Sequence, residues 1–204
     1  MRRIKELDAI RGLAAVAIVV YHIWLPSWEI LGSAVDLFFV LSGYLITTIL
    51  LNNAATDRSI IAFYARRFLR IAPIYYLSIA AVVLINGWMP SPESLEGLPY
   101  YLTYTQKLPT YWGAAEPPFI TSFRHTWTLA IEEQFYLLWP ALLWMLGRRR
   151  LPWLSLAFIG VAVWARASGL NRWVLATNCD GLALGGLLAG LLFDHNAAGG
   201  KTNP

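Results

Sequence analysis

Apolar residues recur in six stretches, over 9 to 25, 33 to 52, 72 to 89, 127 to 146, 151 to 168 and 176 to 193, with polar or charged segments between them. Each stretch has 17 to 20 residues. An α-helix rises ~1.5 Å per residue, so ~20 residues cross a ~30 Å hydrocarbon core. Lipid-facing backbone must bond within its own segment, which makes helices the expected form. The pattern predicts an all-α integral membrane protein, with about six transmembrane helices in one bundle over residues 1–193 and a polar tail over 194–204.

Composition agrees. Of 204 residues, 57% are hydrophobic and only 14% charged, where about 25% charged is usual in a soluble domain. A soluble domain of this size could not cover so much apolar surface. Disordered, collagen-like and disulfide-scaffold classes are excluded. The one cysteine, Cys179, forms no disulfide within the chain and has no zinc-site spacing around it.

The formal net charge is +4, with the basic residues interleaved among the apolar stretches instead of gathered on one face. That arrangement reads as membrane topology and gives no nucleic-acid partner. With the N-terminus inside, the inner set is Arg2, Arg3, Lys5, Arg11, Arg58, Arg66, Arg67, Arg70, Arg148, Arg149, Arg150 and Lys201. The outer set is Lys107, Arg124, Arg166 and Arg172. This bias places both termini in the cytoplasm. The first stretch is read as a retained helix and not a signal peptide, because Arg11, Tyr21 and His22 lie within it. Trp24, Trp28, Trp88, Trp127, Trp153 and Trp173 fall near stretch ends, as interfacial anchors do. The longest loop, Pro90 to about Thr126, is assigned outside, as a lid, an acceptor platform or a plain connector.

Ionisable groups within spans are expensive, so they mark where function is to be sought. On the first helix, Arg11 and His22 are eleven residues apart, which aligns them to about 20° at a separation of roughly 16 Å. Asp8 lies about 60° from Arg11. Neutral imidazole suits proton abstraction near pH 7, making His22 the candidate base. Asp36 opens the second stretch and reads as a charge-pairing residue, with Gly43 seven residues on allowing close helix approach. Arg67 and Arg70 share a helical face, with Arg66 displaced by about 100°. Two guanidiniums there make a phosphate fork or an ordinary headgroup anchor. Glu132 and Glu133 are adjacent and diverge by about 100°, so one orients a histidine or neutralises an arginine while the other pairs structurally. Pro140 should kink that helix. Asp180 precedes Gly181, Gly185, Gly186 and Gly190, a spacing that reads as helix packing. His125 is placed to meet an external substrate, and His195 has no assigned role. No nucleotide-binding glycine loop, zinc-protease motif or serine elbow is present, and no metal site is assigned.

Four motifs occur in order: Leu7-Asp8-Ala9-Ile10-Arg11-Gly12 with Tyr21-His22; Asp36-Leu37-Phe38-Phe39-Val40-Leu41-Ser42-Gly43-Tyr44; Arg66-Arg67-Phe68-Leu69-Arg70-Ile71-Ala72-Pro73; and His125-Thr126-Trp127 running on to Glu132-Glu133-Gln134-Phe135-Tyr136. Together they resemble the acyltransferase-3 family of bacterial inner-membrane O-acyltransferases. The resemblance implies transfer of an acyl group, expected to be acetyl, from a cytoplasmic acyl-coenzyme A to a hydroxyl of an extracytoplasmic glycan or related acceptor. On it, His22 is the base, Glu132 or Glu133 orients it, Arg67 and Arg70 with Arg66 hold the donor's phosphates, and Arg11 lies on the same side. Family members usually carry further spans after the sixth, so the chain reads as a C-terminally short member. Two other readings stay open. One is an inactive or partner-dependent module, acting as a homo-oligomer or with a complementing subunit. The other is a small-molecule transporter built on the same intramembrane charges.

Overall fold

The computed structural model describes residues 5–23, 33–52 and 57–199, and within these the side chains of Asp8, Arg11 and His22 among others lie outside the description. The described residues form helices and contain no strand. The long helices are α1 (Lys5–Ile23), α2 (Ala34–Asn52) and α3 (Asp57–Gly87). After a one-turn helix α4 (Leu98–Leu102) come α5 (Trp127–Leu146), α6 (Leu151–Ala167) and α7 (Leu175–Gly199). Among the described residues, three segments are long and apolar enough to cross a membrane: Ala34–Asn52, Ile61–Gly87 and Leu175–His195.

The third apolar stretch needs correcting. Its pattern starts at residue 72, whereas the helix starts at Asp57 and carries Pro73 inside it. Arginines depress local hydropathy but are good helix formers, so Arg66, Arg67 and Arg70 continue the helix instead of ending it. They therefore lie within α3.

The core is the contact of α2 with α7, flanked by α6, α5 and α1. Glycine makes the α2–α7 approach possible. A Cβ at Gly43 would run into the Leu182 carbonyl, and one at Gly185 into the Val40 carbonyl. At Gly186 a Cβ would meet the Trp139 ring, so α5 closes on the same seam. Trp139 is fully buried and donates its indole N–H to Thr47 Oγ1 at 2.8 Å. Its ring stacks on Phe135 at 4.9 Å. Outward faces of α3 remain apolar, with Leu69, Ile74 and Leu77 exposed. Trp88 and Trp153 stand exposed beside helix ends, where interfacial tryptophans belong.

Residues 90–126 fold as a cap whose aromatic core is shared with α3. Tyr75 of α3 donates to the Tyr101 carbonyl at 2.8 Å, and Tyr101 packs on Phe119 at 4.4 Å. Asn86, at the end of α3, brackets Glu93 by accepting its N–H at 2.8 Å and donating to its carbonyl at 3.0 Å. Glu93 in turn accepts from the Thr121 N–H at 2.9 Å and hydroxyl at 2.6 Å. These two bonds favour the carboxylate and hold the Glu93 carboxyl below its usual range. Lys107 is buried against Glu116, which also faces Arg124 at 3.6 Å.

Candidate functional site

The site is built on α5, where consecutive carboxylates point to different neighbours. Glu132 is buried against α2 and accepts hydrogen bonds from Ser42 and, at 3.1 Å, from the Tyr136 hydroxyl one turn further on. Glu133 faces α3, with its Oε1 3.5 Å from Arg67 Nε. At that length and alignment the pair is ionic without a hydrogen bond, and both atoms are buried with no other hydrogen-bond partner. Arg67 also lies over the Tyr136 ring, 3.0 Å from its centroid. Tyr136 therefore joins the two halves, donating from its hydroxyl to Glu132 and offering its face to the cation that meets Glu133.

These groups border a cavity of about 270 Å³ between α3, α5 and the cap, lined among others by Arg67, Glu133, Tyr104, Gln134 and Tyr64. Tyr104 has φ 57°, a left-handed backbone that a bulky residue seldom adopts. Gln134 holds it, donating to the Tyr104 carbonyl at 2.7 Å, and its ring stacks on Tyr75 at 4.5 Å. Burial pushes the Tyr104 hydroxyl well above the usual phenol range, so it stays protonated. On the far side, Tyr64 donates to the Leu137 carbonyl at 2.8 Å, in the stretch loosened by Pro140.

The expected site residues are distributed as follows. His22, Arg11 and Asp8 lie on α1 with their side chains outside the described residues. Arg67 reaches the carboxylate site, whereas Arg70 lines a second cavity of about 540 Å³ with Tyr75, Phe123 and His125. Arg66 is exposed. The two cations expected to form one fork thus border separate cavities. Asp180 pairs with Arg166 at 2.7 Å, and Asp36 lies within electrostatic reach of that pair. Arg166 also donates to the Thr177 carbonyl at 2.7 Å, which ties α6 to α7. His195 is exposed on α7. Among the described residues no group of three His, Cys, Asp or Glu could hold a metal.

Sequence reasoning missed Ser42, Tyr136, Gln134 and Tyr104. Ser42 carried a readable signal, being a hydroxyl in an otherwise apolar run, but its acceptor lies 90 residues away.

The described residues form a helical bundle of apolar segments, closed by glycine contacts and holding a carboxylate pair beside an arginine. The chain belongs to the acyltransferase-3 family, whose profile, described as an acyltransferase domain, matches residues 4–194. Among curated proteins it is similar to the peptidoglycan O-acetyltransferase OatA of Listeria monocytogenes, 36% identical over 156 residues, which is 69% of this chain and 24% of that protein. It is also similar to the O-acetyltransferase OatA of Staphylococcus aureus, 35% identical over 168 residues, covering 74% of this chain and 26% of the relative. The chain thus spans about a quarter of the length of these relatives. No solved structure matches it.

Proposed function

We propose that the protein is a membrane O-acetyltransferase that moves an acetyl group from a cytoplasmic acyl-coenzyme A to a hydroxyl of an extracytoplasmic glycan, with peptidoglycan as the first acceptor to test. The observation that carries this reading is the division of labour between the adjacent carboxylates: Glu132 is held by Ser42 and Tyr136, while Glu133 meets Arg67. The names of the relatives, peptidoglycan O-acetyltransferase above all, support the acceptor.

In this reading six spans run with both termini in the cytoplasm of a bacterial inner membrane. Arg67 receives a phosphate of the donor at the carboxylate site, Arg70 and the exposed Arg66 supply cations from outside that cavity, and Arg11 adds one on the same side. His22 takes the proton of the acceptor hydroxyl as its oxygen attacks the thioester carbonyl. A cation stabilises the tetrahedral oxyanion, which collapses to the new ester and expels the coenzyme A thiolate. The imidazolium then returns its proton to that thiolate. Glu132, fixed by two donors, steadies the charge that develops on the imidazole.

The experiment is transfer of labelled acetyl from acetyl-coenzyme A to peptidoglycan fragments in membranes that contain the protein. Wild-type membranes should label the glycan, and Glu132→Gln at matched expression should lose most of that labelling. Equal labelling by Glu132→Gln would remove the carboxylate from the reaction. Uptake of a solute into proteoliposomes with no acetylation would replace the proposal with transport.

A further inference from the structure

Far along α5 from the carboxylates lies a cavity of about 560 Å³ that the acyl-transfer reading does not use. Its walls come from the end of α5, the turn after it, the start of α6 and the last part of α7, and include Arg148, Arg149 and Asp194 with Leu151, Leu187 and Leu191. The turn begins at Gly147, with φ 78°, and carries Arg148–Arg150 as one turn of 3₁₀ helix.

Arg148 is fixed there from two sides. Its guanidinium pairs with Asp194 and lies over the Phe193 ring, 4.2 Å from the centroid. Arg149 has no ion pair of this kind among the described residues and is exposed on the same wall. Two guanidiniums against one carboxylate leave the lining with a surplus of one positive charge, with Arg150 adding another close by.

The rest of the lining is apolar and continues onto outward faces, since Leu146 and Leu191 are exposed. A ligand that fits both halves has a singly charged phosphate and a hydrocarbon tail. We infer that this cavity is a binding site for an anionic phospholipid, with the phosphodiester on Arg148 and Arg149 and the acyl chains along α6 and α7. Under the orientation that the basic residues predict, the site lies at the cytoplasmic leaflet, whose anionic lipids are drawn to such basic pockets.

The test is native mass spectrometry of the detergent-purified protein titrated with phosphatidylglycerol, phosphatidylcholine or coenzyme A. Phosphatidylglycerol should be retained in preference to phosphatidylcholine. Arg148→Gln with Arg149→Gln should weaken it about twenty-five-fold, at about fivefold per arginine. Arg172→Gln, in the turn before α7, should leave it unchanged. Asp194→Asn removes the competing acid and should tighten binding, so the inference remains testable if the double variant folds poorly. Equal retention of the two lipids, or loss of phosphatidylglycerol to coenzyme A in slight excess, would overturn it. The first outcome would make the arginines general anchors, and the second would make the cavity a nucleotide-phosphate site.

Discussion

Glu132 and Glu133 have nearly the same local sequence around them, yet they have different neighbours, because ~100° of helix rotation turns one toward α2 and the other toward α3. That divergence was legible from adjacency alone. Which carboxylate met which partner was not, since Ser42 and Arg67 reach α5 only through tertiary packing. The arginine fork shows the converse. Spacing placed Arg67 and Arg70 on one face, but Glu133 and the Tyr136 ring draw Arg67 to one cavity while Arg70 borders another. Two predictions belong to this scale. Ser42→Ala removes a donor to a buried carboxylate, a bond of about 1.5–3 kcal/mol, and should slow acetyl transfer by about tenfold or more with expression unchanged. Arg67→Lys keeps the charge but loses the planar group over Tyr136, and should lower the thermal midpoint and the transfer rate together. A wild-type rate in either variant, measured in membranes, would detach that residue from the site.

At the scale of elements, helix existence was well encoded and helix limits less so. The stretch over 127 to 146 coincides with α5, and that over 33 to 52 with α2 to within a residue. The third helix begins fifteen residues before its apolar pattern does, because hydropathy registers the arginines as a boundary while backbone propensity does not. Small-residue spacing correctly pointed to packing, for Gly43 and Gly185 admit carbonyls that any side chain would displace. Gly185→Val should therefore force α2 from α7 and destabilise the bundle by about 1–3 kcal/mol, read as a lower thermal midpoint and reduced yield of monodisperse protein. The cap was harder to foresee, since its aromatic core joins α3 to residues 101–123. One polar tie in it should respond to acid. The Glu93 carboxyl is held low by Thr121, so its contribution is present above the ordinary glutamate range and lost as pH falls through the lowered value. The protection of the Thr121 amide, taken relative to the intrinsic exchange rate at each pH, should fall on acidification in the wild type. In Glu93→Gln it should be lower at neutral pH and change less with acid.

For the whole molecule, composition alone defined a helical membrane protein, and four ordered motifs defined its family. Neither depended on contacts, which is why both could be read before the fold. The joining of the motifs was not legible. The second motif supplies Ser42 and Gly43, the third Arg67 and the fourth the carboxylate pair, and α2, α3 and α5 bring them together. Asp180 and Arg166, from α7 and α6, meet away from that centre and tie those two helices together.

The proposed chemistry is acetyl transfer with the first helix supplying the base. Its most direct test is transfer of labelled acetyl from acetyl-coenzyme A to peptidoglycan fragments in membranes carrying either the wild type or His22→Ala at equal expression. Loss of a general base should slow transfer by about 10²–10⁴-fold. Transfer by His22→Ala at the wild-type rate would remove His22 as the base.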